Sequence, residues 1–403
     1  MCIRRRTMHV DAHPMPDGRP TAVSSDVSDV ALAASFGGYM TMPSKRVSIF
    51  DVARAAGVSH QTVSRVINHS PNVSVATRAK VQATIDELGY RPSSAARALA
   101  TQRTRTIALI AAGMSYHGPL STISTIESMA RKHGLYVSIA MMNDHEYTQE
   151  AFEEVANSCL DQGVEAFVFV APTEPMVEAA LSARLKAPRI VLTASHGSSD
   201  IDIEAIVAKD PTIACLGIDQ WSALRDVAEH LAGLGHRRAL YLSGPHDWRD
   251  AVTRRAAWEA ESAARGIESR TIAVDDWSAQ SAYECFERYL ATLDDPKSQL
   301  PTAIVTANDL HAIGVRRSLG EHGFDVPGDV SLVGYDDMSG ADNLMPPLTT
   351  IHPDFAALGV AAMDVLFSLL GTPADKVDLP KLHGVASIAA PLIVRDSSAV
   401  PGR

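Results

Sequence analysis

A short run of uncharged polar residues offers hydrogen-bonding groups in one turn of chain. The run SHQT begins at Ser59, and Arg65 follows it closely. The carboxamide of Gln61 can pair bidentately with adenine, and the guanidinium of Arg65 can pair in the same way with guanine. Ser59 and His60 can donate or accept further hydrogen bonds. These residue types in this order predict contact with the base edges of double-stranded DNA.

Short apolar-periodic helices must position these groups. The first would span residues 49–56, and the second would begin at Ser59. A third helix is expected from Val75 or Ala76 to Leu88, with Ser74 as its N-cap. Such a helix-turn-helix bundle lays its second helix in the major groove. Phosphate contacts are expected from polar side chains near the helix ends, namely Ser48, Asn68, Ser74 and Thr77.

Charge is divided unevenly along the chain. Residues 45–105 carry ten Lys or Arg and three acidic residues, a net charge of +7, whereas residues 106–403 carry 22 basic and 40 acidic residues, a net charge of −18. A basic module joined to an acidic body indicates that only the module meets a polyanion. Helix spacing alone would also allow a three-helix bundle with an inert polar surface, and the charge favours DNA binding.

The segment YRPSSAARALATQ joins the basic module to the body. Its helical part is too short and too small-sided to be stable alone. A segment that folds only when paired with its copy on DNA would fit this pattern, with Leu99 wedged into the minor groove. The alternative is a plain flexible linker.

The N-terminal segment and the cysteines indicate the cellular compartment of the protein. Residues 1–44 are rich in Ser, Asp, Pro and Gly, and we expect them to be disordered. The sequence lacks the apolar stretch of a secretory signal, and no apolar run approaches the roughly 20 residues that a membrane helix needs. The four cysteines show no CxxC spacing. We therefore expect a cytoplasmic protein without a metal, a cofactor or a disulfide.

The acidic body alternates strand and helix patterns from Thr106 onward. Buried strands are predicted at IALIAAG, VEAFVFVAP and PTAIVTAND, among others, with amphipathic helices between them. This alternation is typical of doubly wound parallel sheets, and the length of the body suggests two such lobes. Ligands of these folds bind beyond the carboxyl ends of the strands.

That rule selects polar and aromatic residues at predicted strand ends. They are Tyr116, Pro119, Trp248, Asn308 and Asp336. Carboxylate and amide groups beside an aromatic plane suit a polyhydroxylated ligand, because the polar groups pair with hydroxyls and the ring covers the apolar side of a sugar. The alternative is that Asn308 and Asp336 merely cap the following helices or turns.

The basic module and the linker together resemble the headpiece and hinge of the LacI/GalR family. The resemblance rests on VSIFDVARAAGVSHQTVSRVINHSPNVSVATRAKVQATIDELGYRPSSAARALA. It implies that Ser59, His60, Gln61 and Arg65 hold recognition-helix contact positions. It also implies that Ala96 and Leu99 are minor-groove positions of a hinge helix.

The body resembles the periplasmic-binding-protein-like effector domain of the same family through LGH, TANDLHAIG, VGYDD and PPLTTIHPDF. The resemblance implies that Arg254 contacts a sugar, that Asn308 and Asp336 bind hydroxyls, that Trp277 stacks on the ligand and that Phe355 forms the floor of the cleft. Tyr116 and Pro119 would line the mouth of the first strand. Trp248 would add a second aromatic wall, and the alternative is that it packs within a surface loop. Thr193-Ala194-Ser195 stands where the lactose-responsive member has an aspartate.

These observations predict a definite domain order. We expect a disordered extension (1–44), an all-α helix-turn-helix headpiece (45–91), a hinge helix and linker (92–104), a two-lobed α/β periplasmic-binding-protein-like domain for effector binding and dimerisation (105–396), and a tail (397–403). The first lobe would comprise residues 106–216 and 354–382. The second would comprise residues 217–353 and a last strand near 384–395. Without a leucine heptad at the C-terminus, a homodimer is expected.

The predicted function is repression of carbohydrate-utilisation genes, with a sugar effector releasing the protein from a pseudo-palindromic operator. The alternative is purine-type corepression, in which the ligand strengthens DNA binding. An enzyme is not expected, since GxSxG, GxxxxGK[ST] and HExxH are missing. A transport binding protein fits poorly, because the basic headpiece would have no role in it.

Overall fold

The computed structural model describes residues 47–68, 70–91, 98, 103–111, 117–142, 148–198 and 201–402. The chain divides after Arg91 into two compact units. The residues predicted as a disordered extension, together with Ala96, Leu99 and Tyr116, lie outside the described residues.

The first unit holds helices α1 (Ile49–Ala56), α2 (His60–Ile67) and α3 (Val75–Leu88). Each helix begins at a serine whose hydroxyl accepts a backbone N–H, which satisfies one of the free donors of the first turn. At α1 the cap is reciprocal, because the Asp51 carboxylate also accepts the backbone N–H of Ser48 at 3.0 Å. The helix bounds match those expected from the sequence because these stop and start signals are local.

The core of the first unit is a small aliphatic cluster. It consists of Val52, Ala53, Ala56, Val63, Val66, Val81 and Ile85. All three helices contribute to this cluster, so each turns one apolar face inward. The opposite face of α2 is left to solvent.

The second unit contains two sheets in the described residues. The strands are β1 (Thr106–Ala111), β2 (Tyr136–Met141), β3 (Ala166–Val170), β4 (Arg189–Leu192), β5 (Ile213–Ile218), β6 (Arg238–Ser243), β7 (Glu268–Ala273), β8 (Ala303–Thr306), β9 (Ser331–Tyr335), β10 (Thr349–Ile351), β11 (Lys381–Leu382), β12 (Val385–Ile388) and β13 (Leu392–Ile393). The first sheet has the order β11-β12-β5-β4-β3-β1-β2, and the second has the order β13-β10-β9-β8-β6-β7. We call the parts built on these sheets the first and second lobes.

Helices cover the parallel strands of both lobes. The first lobe has α4 (His117–Lys132), α5 (Gln149–Asp161), α6 (Glu174–Ser182), α7 (Ile203–Lys209) and α13 (Phe355–Leu369). The second has α8 (Gln220–Leu234), α9 (Arg249–Ala264), α10 (Ala279–Leu290), α11 (Pro296–Gln299) and α12 (Asp309–Glu321). The two-lobed α/β architecture expected from the sequence is thus observed. Within the described residues, no helix combines the length and apolarity required to cross a membrane.

The expected assignment of a last strand near residues 384–395 to the second lobe is wrong for β12 and correct for β13. Strand β12 pairs in parallel with β5 of the first sheet, and only β13 joins the second sheet, where it pairs antiparallel with β10. Pro391 lies between the two strands, and its missing N–H suits a break in strand pairing. The residues that we grouped as a tail continue along the second lobe, where the buried Ser397 hydroxyl donates to the carbonyl of Leu332 at 2.6 Å.

Among the residues that the structure describes, three chain crossings join the lobes, at residues 219, 352–354 and 389–391. The backbone N–H of Asp219 donates to Ile388 at 2.8 Å, and that of His352 donates to Pro391 at 2.9 Å. Because the crossings are hydrogen-bonded to one another, the carboxyl ends of both sheets are held on either side of one cleft.

Candidate functional site

The exposed face of α2 carries the residues predicted to read DNA. Ser59, His60, Gln61 and Arg65 are all exposed. The ring of His60 lies 5.2 Å from that of Phe50, whose side chain is itself 60% exposed. Phe50 was missed in the sequence, and its signal was a large apolar residue on the polar side of α1. The structure therefore places four hydrogen-bonding side chains and one aromatic ring on this part of the headpiece surface.

The residues predicted to hold phosphates lie at helix termini. The Ser48 hydroxyl donates to Asp51 at 2.6 Å, and the Ser74 hydroxyl lies 2.8 Å from that of Thr77. Asn68 is the C-cap residue of α2 and is exposed. The hydroxyls of Ser48 and Ser74 already cap helices, so we expect any phosphate they meet to share them with backbone N–H groups.

A cavity of about 430 Å³ lies between the two lobes of the second unit. Of the predicted effector residues that the structure describes, all seven line it, namely Pro119, Trp248, Arg254, Trp277, Asn308, Asp336 and Phe355. Its volume lies within the range of small-molecule sites. Residues separated by more than 200 positions in the chain thus meet at the carboxyl ends of the strands.

Arg254 is the central cation of this cavity. It is 5% exposed, its Nε donates to Gln220 Oε1 at 2.7 Å, and its Nη1 donates to the carbonyl of Ala307. Its guanidinium carbon stands 3.5 Å from the ring centroid of Tyr335. The hydroxyl of Tyr335 donates to the same Gln220 oxygen. The guanidinium is therefore fixed by packing on the Tyr335 ring and by hydrogen bonds from its Nε and Nη1.

Two carboxylates flank Arg254. Asp336 Oδ1 lies 3.9 Å from Arg254 Nη2, and Asp250 accepts a hydrogen bond from Gln220 at 2.7 Å. Burial raises the pKa of Asp336 to about 7, with Arg254 acting in the opposite direction. Burial likewise raises the pKa of Asp250. An acid in this state can donate a hydrogen bond when protonated and accept one when ionised, so either form can pair with a ligand hydroxyl.

The backbone of Asp336 is also unusual. Its φ is 108°, and that of Asp337 is 45°, in the half of conformational space that favours glycine. Asp337 is held by Arg395 at 2.7 Å and His352 at 2.9 Å. The surrounding contacts thus impose a strained turn that aims the Asp336 carboxylate into the cavity. Such strain costs of order 1–3 kcal/mol and clusters at ligand sites.

Asn308 combines the two roles that the sequence left open. Its Oδ1 accepts the backbone N–H of His311 at 2.8 Å, which makes it the N-cap of α12. Its Nδ2 donates to the carbonyl of Trp277 at 3.1 Å while the residue lines the cavity. Asn308 therefore fixes the loop that carries Trp277 and leaves one N–H of its amide for other partners.

Two tryptophans form an aromatic corner. The rings of Trp248 and Trp277 meet edge to face, with centroids 5.5 Å apart and planes at 76°. A Cβ at Gly244 would lie 2.6 Å from the Trp277 ring, so only glycine permits this approach. Among the described residues, Trp277 Nε1 has no hydrogen-bond partner. The indole N–H is thus a spare donor beside the cavity.

A buried ion pair joins the lobes next to this corner. Arg249 Nη1 of the second lobe lies 2.5 Å from Glu174 Oε1 of the first lobe, and the side chains are 3% and 9% exposed. Arg249 also donates to the carbonyl of Ala194, and Glu174 accepts the backbone N–H of Ser198. We call Arg249 with Glu174 the interlobe clasp. Trp248, which precedes Arg249, forms a β-bridge with Thr173, which precedes Glu174. The backbone of the interlobe clasp is therefore continuous with the wall of the cavity.

Gln220, Asp250 and both members of the clasp were not predicted from the sequence. Asp250 carried a signal, since it lies four residues before Arg254 in the same predicted helix and so shares its face. Gln220 begins a helix directly after the first lobe crossing. Glu174 and Arg249 are 75 residues apart, and no local pattern relates them.

Comparison with known proteins agrees with both units. Residues 48–93 match the model of bacterial regulatory proteins of the lacI family, and residues 228–398 match a periplasmic binding protein-like domain. The lactose operon repressor of Escherichia coli strain K12 is 33% identical over 326 residues, which cover 81% of this chain and 85% of that protein. The transcriptional regulator GalR of the same organism is 29% identical over 360 residues, covering 87% of this chain and 95% of GalR.

Solved structures agree with this comparison. The crystal structure of the lac repressor dimer bound to operator and the anti-inducer ONPF superposes with a TM-score of 0.73 at 28% identity, covering 88% of this chain and 100% of that chain. The relatives named here are transcription regulators. At this identity and coverage, the chain belongs to the LacI family of bacterial regulatory proteins, DNA-binding repressors that respond to small-molecule effectors.

Proposed function

We propose that this chain is a homodimeric repressor of carbohydrate-utilisation genes that a sugar effector releases from its operator. The observation that carries the proposal is the interlobe cavity, in which the buried Arg254 stands between Asp250 and Asp336 and beside two tryptophans. Polar groups of both signs can pair with adjacent hydroxyls, and an indole face can cover the apolar side of a pyranose.

The headpiece supplies the DNA contacts in this proposal. Gln61 and Arg65 project from the exposed face of α2, where a recognition helix would meet base edges. Two headpieces of a homodimer would read a pseudo-palindrome, because protein and operator then share a two-fold axis. The lac repressor structure described above is a dimer on operator DNA, which supports this arrangement. We place the protein in the cytoplasm, where such a regulator meets its operator.

The lobes supply the response to the ligand. A sugar that contacts Trp248 and Arg254 from one lobe and Phe355 from the other stabilises one angle between the lobes over others. A ligand shifts an equilibrium only by its differential affinity for the two states. In this proposal that shift separates the headpieces of the dimer and lowers operator affinity, a coupling between two sites.

Thermal-shift screening followed by an operator-release assay tests this proposal. The purified chain is screened against free hexoses, disaccharides, sugar phosphates and nucleobases, since a ligand of the folded state raises the midpoint by mass action. Each hit is then titrated into a complex with a duplex selected from random sequence, and release is followed by fluorescence anisotropy. We expect a sugar to raise the midpoint and to release the duplex. A nucleobase that tightens DNA binding would support purine-type corepression instead.

The DNA-reading part is tested separately. Gln61→Ala and Arg65→Ala are each expected to cost about 1–3 kcal/mol of discrimination between the selected duplex and random duplex. Both affinities are measured at one salt concentration, because non-specific binding depends on salt. If the two affinities fell by the same factor, these residues would bind phosphates rather than base edges.

A further inference from the structure

A short segment of the first lobe reaches across to helix α9 of the second lobe. Residues 194–198 follow β4, and Arg249 Nε and Nη2 both donate to the carbonyl of Ala194, at 3.3 Å and 3.2 Å. The backbone N–H of His196 donates to the Thr253 hydroxyl at 3.3 Å, and that hydroxyl donates to the carbonyl of His196 at 3.0 Å. We call residues 194–198 the strap, since they bind the first lobe to α9.

The strap is attached to α9 beside residues that line the cavity. Arg249 directly precedes Asp250, and the fully buried Thr253 directly precedes Arg254. Asp250 and Arg254 line the cavity, and so does Thr193, the residue just before the strap. The strap therefore holds the first turns of α9, which carry two of the polar groups that face the cavity.

The ring of His196 lies at the centre of the strap. It stacks on the indole of Trp221 from α8, with centroids 4.8 Å apart and planes at 29°. His383, in the turn between β11 and β12, meets it edge to face at 4.6 Å. Its Nδ1 lies 3.0 Å from the Ser195 hydroxyl. The imidazole is thus packed between an aromatic ring of the second lobe and one of the first lobe, so its charge bears directly on the contact between the lobes.

The groups around this ring do not favour a proton on it. The titratable and charged side chains on the adjoining parts of the elements packed here are Arg225 and Asp226 of α8, Arg249 and Glu261 of α9, Glu174 of α6 and His383. Glu174 and Glu261 are already paired with arginines, at 2.5 Å and 2.6 Å. Burial lowers the pKa of His196, and the neighbouring His383 and Arg249 lower it further. The packed strap thus favours a neutral imidazole.

Release of the strap from α9 removes these constraints on the imidazole. A histidine in water titrates at about pH 6.5, whereas the packed His196 takes up its proton only at lower pH. Above about pH 6.5 the ring is neutral in both states, so pH does not alter the balance between them. As the pH falls below that value the released strap is protonated first, and acid therefore shifts the balance towards release.

We propose that His196 is a positioning residue for the cavity wall on α9, which its neutral imidazole holds through the strap and its protonated imidazole frees. Freeing the first turns of α9 loosens the support of Asp250 and Arg254. The affinity for any ligand of this wall is then expected to fall in weakly acidic solution. The inference goes beyond the proposed sugar response, because it concerns the ligand-free chain and applies whichever effector the cavity binds.

Hydrogen exchange followed by mass spectrometry on the ligand-free, full-length chain tests the inference. Protection factors of the backbone amides, corrected for the intrinsic pH dependence of exchange, are compared between about pH 7.5 and about pH 5. We expect the protection of the strap and of residues 249–254 to fall at least about threefold, while that of β3 stays nearly unchanged. Equal protection of the strap at the two pH values would overturn the inference.

Two glutamine variants separate His196 from other groups that titrate in this range, since burial also raises the pKa of Asp336 to about 7. His196→Gln keeps a planar polar side chain that does not titrate, and it is expected to abolish the pH-dependent loss of protection in the strap. His230→Gln is the matched control, because His230 also lies on α8 and burial lowers its pKa as well. The control should keep the wild-type pH dependence. A loss of protection that persists in His196→Gln would overturn the inference.

The wild-type comparison decides the question if His196→Gln does not fold, which circular dichroism and the thermal midpoint reveal. An aromatic face attracts a cation, so the ring of Trp221 acts against release of a protonated His196. Stronger protection of the strap at about pH 5 than at about pH 7.5 would mean that this attraction prevails, and it would overturn the inference.

Discussion

Two arginines five residues apart on α9 are buried to a similar degree and yet are paired very differently. Arg249 lies 2.5 Å from its carboxylate partner in the other lobe and donates again to a backbone carbonyl there. Arg254 stays within its own lobe, where its carboxylate partner Asp336 is 3.9 Å away. That distance is beyond a direct hydrogen bond.

The difference indicates separate tasks for the two cations. The donors of the buried Arg249 are already used in a close ion pair and in hydrogen bonds to a backbone carbonyl. Arg249 therefore fixes the geometry of the contact between the lobes. Arg254 has its Nε and Nη1 fixed by Gln220 and Ala307. In the part of the chain that the structure describes, its Nη2 faces the Asp336 carboxylate at 3.9 Å and makes no shorter polar contact. Arg254 Nη2 can therefore donate to a ligand hydroxyl without breaking an existing hydrogen bond, whereas Arg249 could donate to one only by opening the interlobe clasp.

Breaking the clasp is expected to have the largest effect. Arg249→Met removes the guanidinium that pairs with the buried Glu174 carboxylate, and removing one member of a buried pair lowers the free energy of unfolding by about 3–5 kcal/mol. Urea denaturation of the wild-type and variant proteins measures this change in the free energy of unfolding. Arg255→Met is the matched control on the same helix, because its pair with Glu259 is solvent-exposed and is expected to contribute less than about 0.5 kcal/mol. Equal losses in the two variants would mean that the clasp contributes no more than a surface pair.

Arg254→Met is expected to act on the ligand response instead. Hydrogen bonds to charged groups contribute about 1.5–3 kcal/mol, so effector affinity should fall by about 10-fold to 100-fold. The measured quantity is the ratio of operator affinities without and with the effector, which should approach one. An Arg254→Met protein that released its operator at the wild-type effector concentration would remove Arg254 from the site.

The pH dependence of stability sharpens the role of Asp336. Burial raises the pKa of Asp336 to about 7, and the carboxyl of an unfolded chain titrates near 3.9. The folded state thus holds this proton more tightly, so ionisation reduces stability increasingly as the pH rises from about 4 to 7. Arg254 opposes this effect, and Asp250 and Asp309 add to it.

Asp336→Asn removes that dependence. The free energy of unfolding of the variant relative to wild type should rise by roughly 3–4 kcal/mol between about pH 4 and pH 7 and change little above that. Urea denaturation of both proteins at each pH measures it. A constant difference across the whole range would show that the pKa of Asp336 is the same in the folded and unfolded chains.

The sequence predicted the fold where the signals are local. Each headpiece helix begins at a serine cap and ends near its predicted residue, because capping depends on neighbours within four positions. The assignment of β12 failed for the opposite reason. Its partner β5 lies more than 160 residues earlier, and a short apolar run does not identify its sheet.

The candidate site was predictable to a similar extent. The strand-end rule selected Trp248, Asn308 and Asp336, and family resemblance added Arg254 and Trp277. All five line the cavity. The partners that set their chemistry were not readable, since Arg254 meets Gln220 and Tyr335 through contacts 34 and 81 positions away in the chain. Residue type indicates what a group can do, and tertiary contacts decide which of its donors remain free.

Tyr335→Phe is expected to produce the smallest effect and to test how firmly Arg254 is supported. The substitution keeps the ring 3.5 Å below the guanidinium and removes the hydroxyl that donates to Gln220. Gln220 Oε1 then keeps only the bond from Arg254 Nε. We expect a loss of about 1 kcal/mol in unfolding free energy and a drop in effector affinity of less than about fivefold, measured by denaturation and titration. A drop as large as that of Arg254→Met would mean that the hydroxyl, rather than the ring, holds the guanidinium in its binding position.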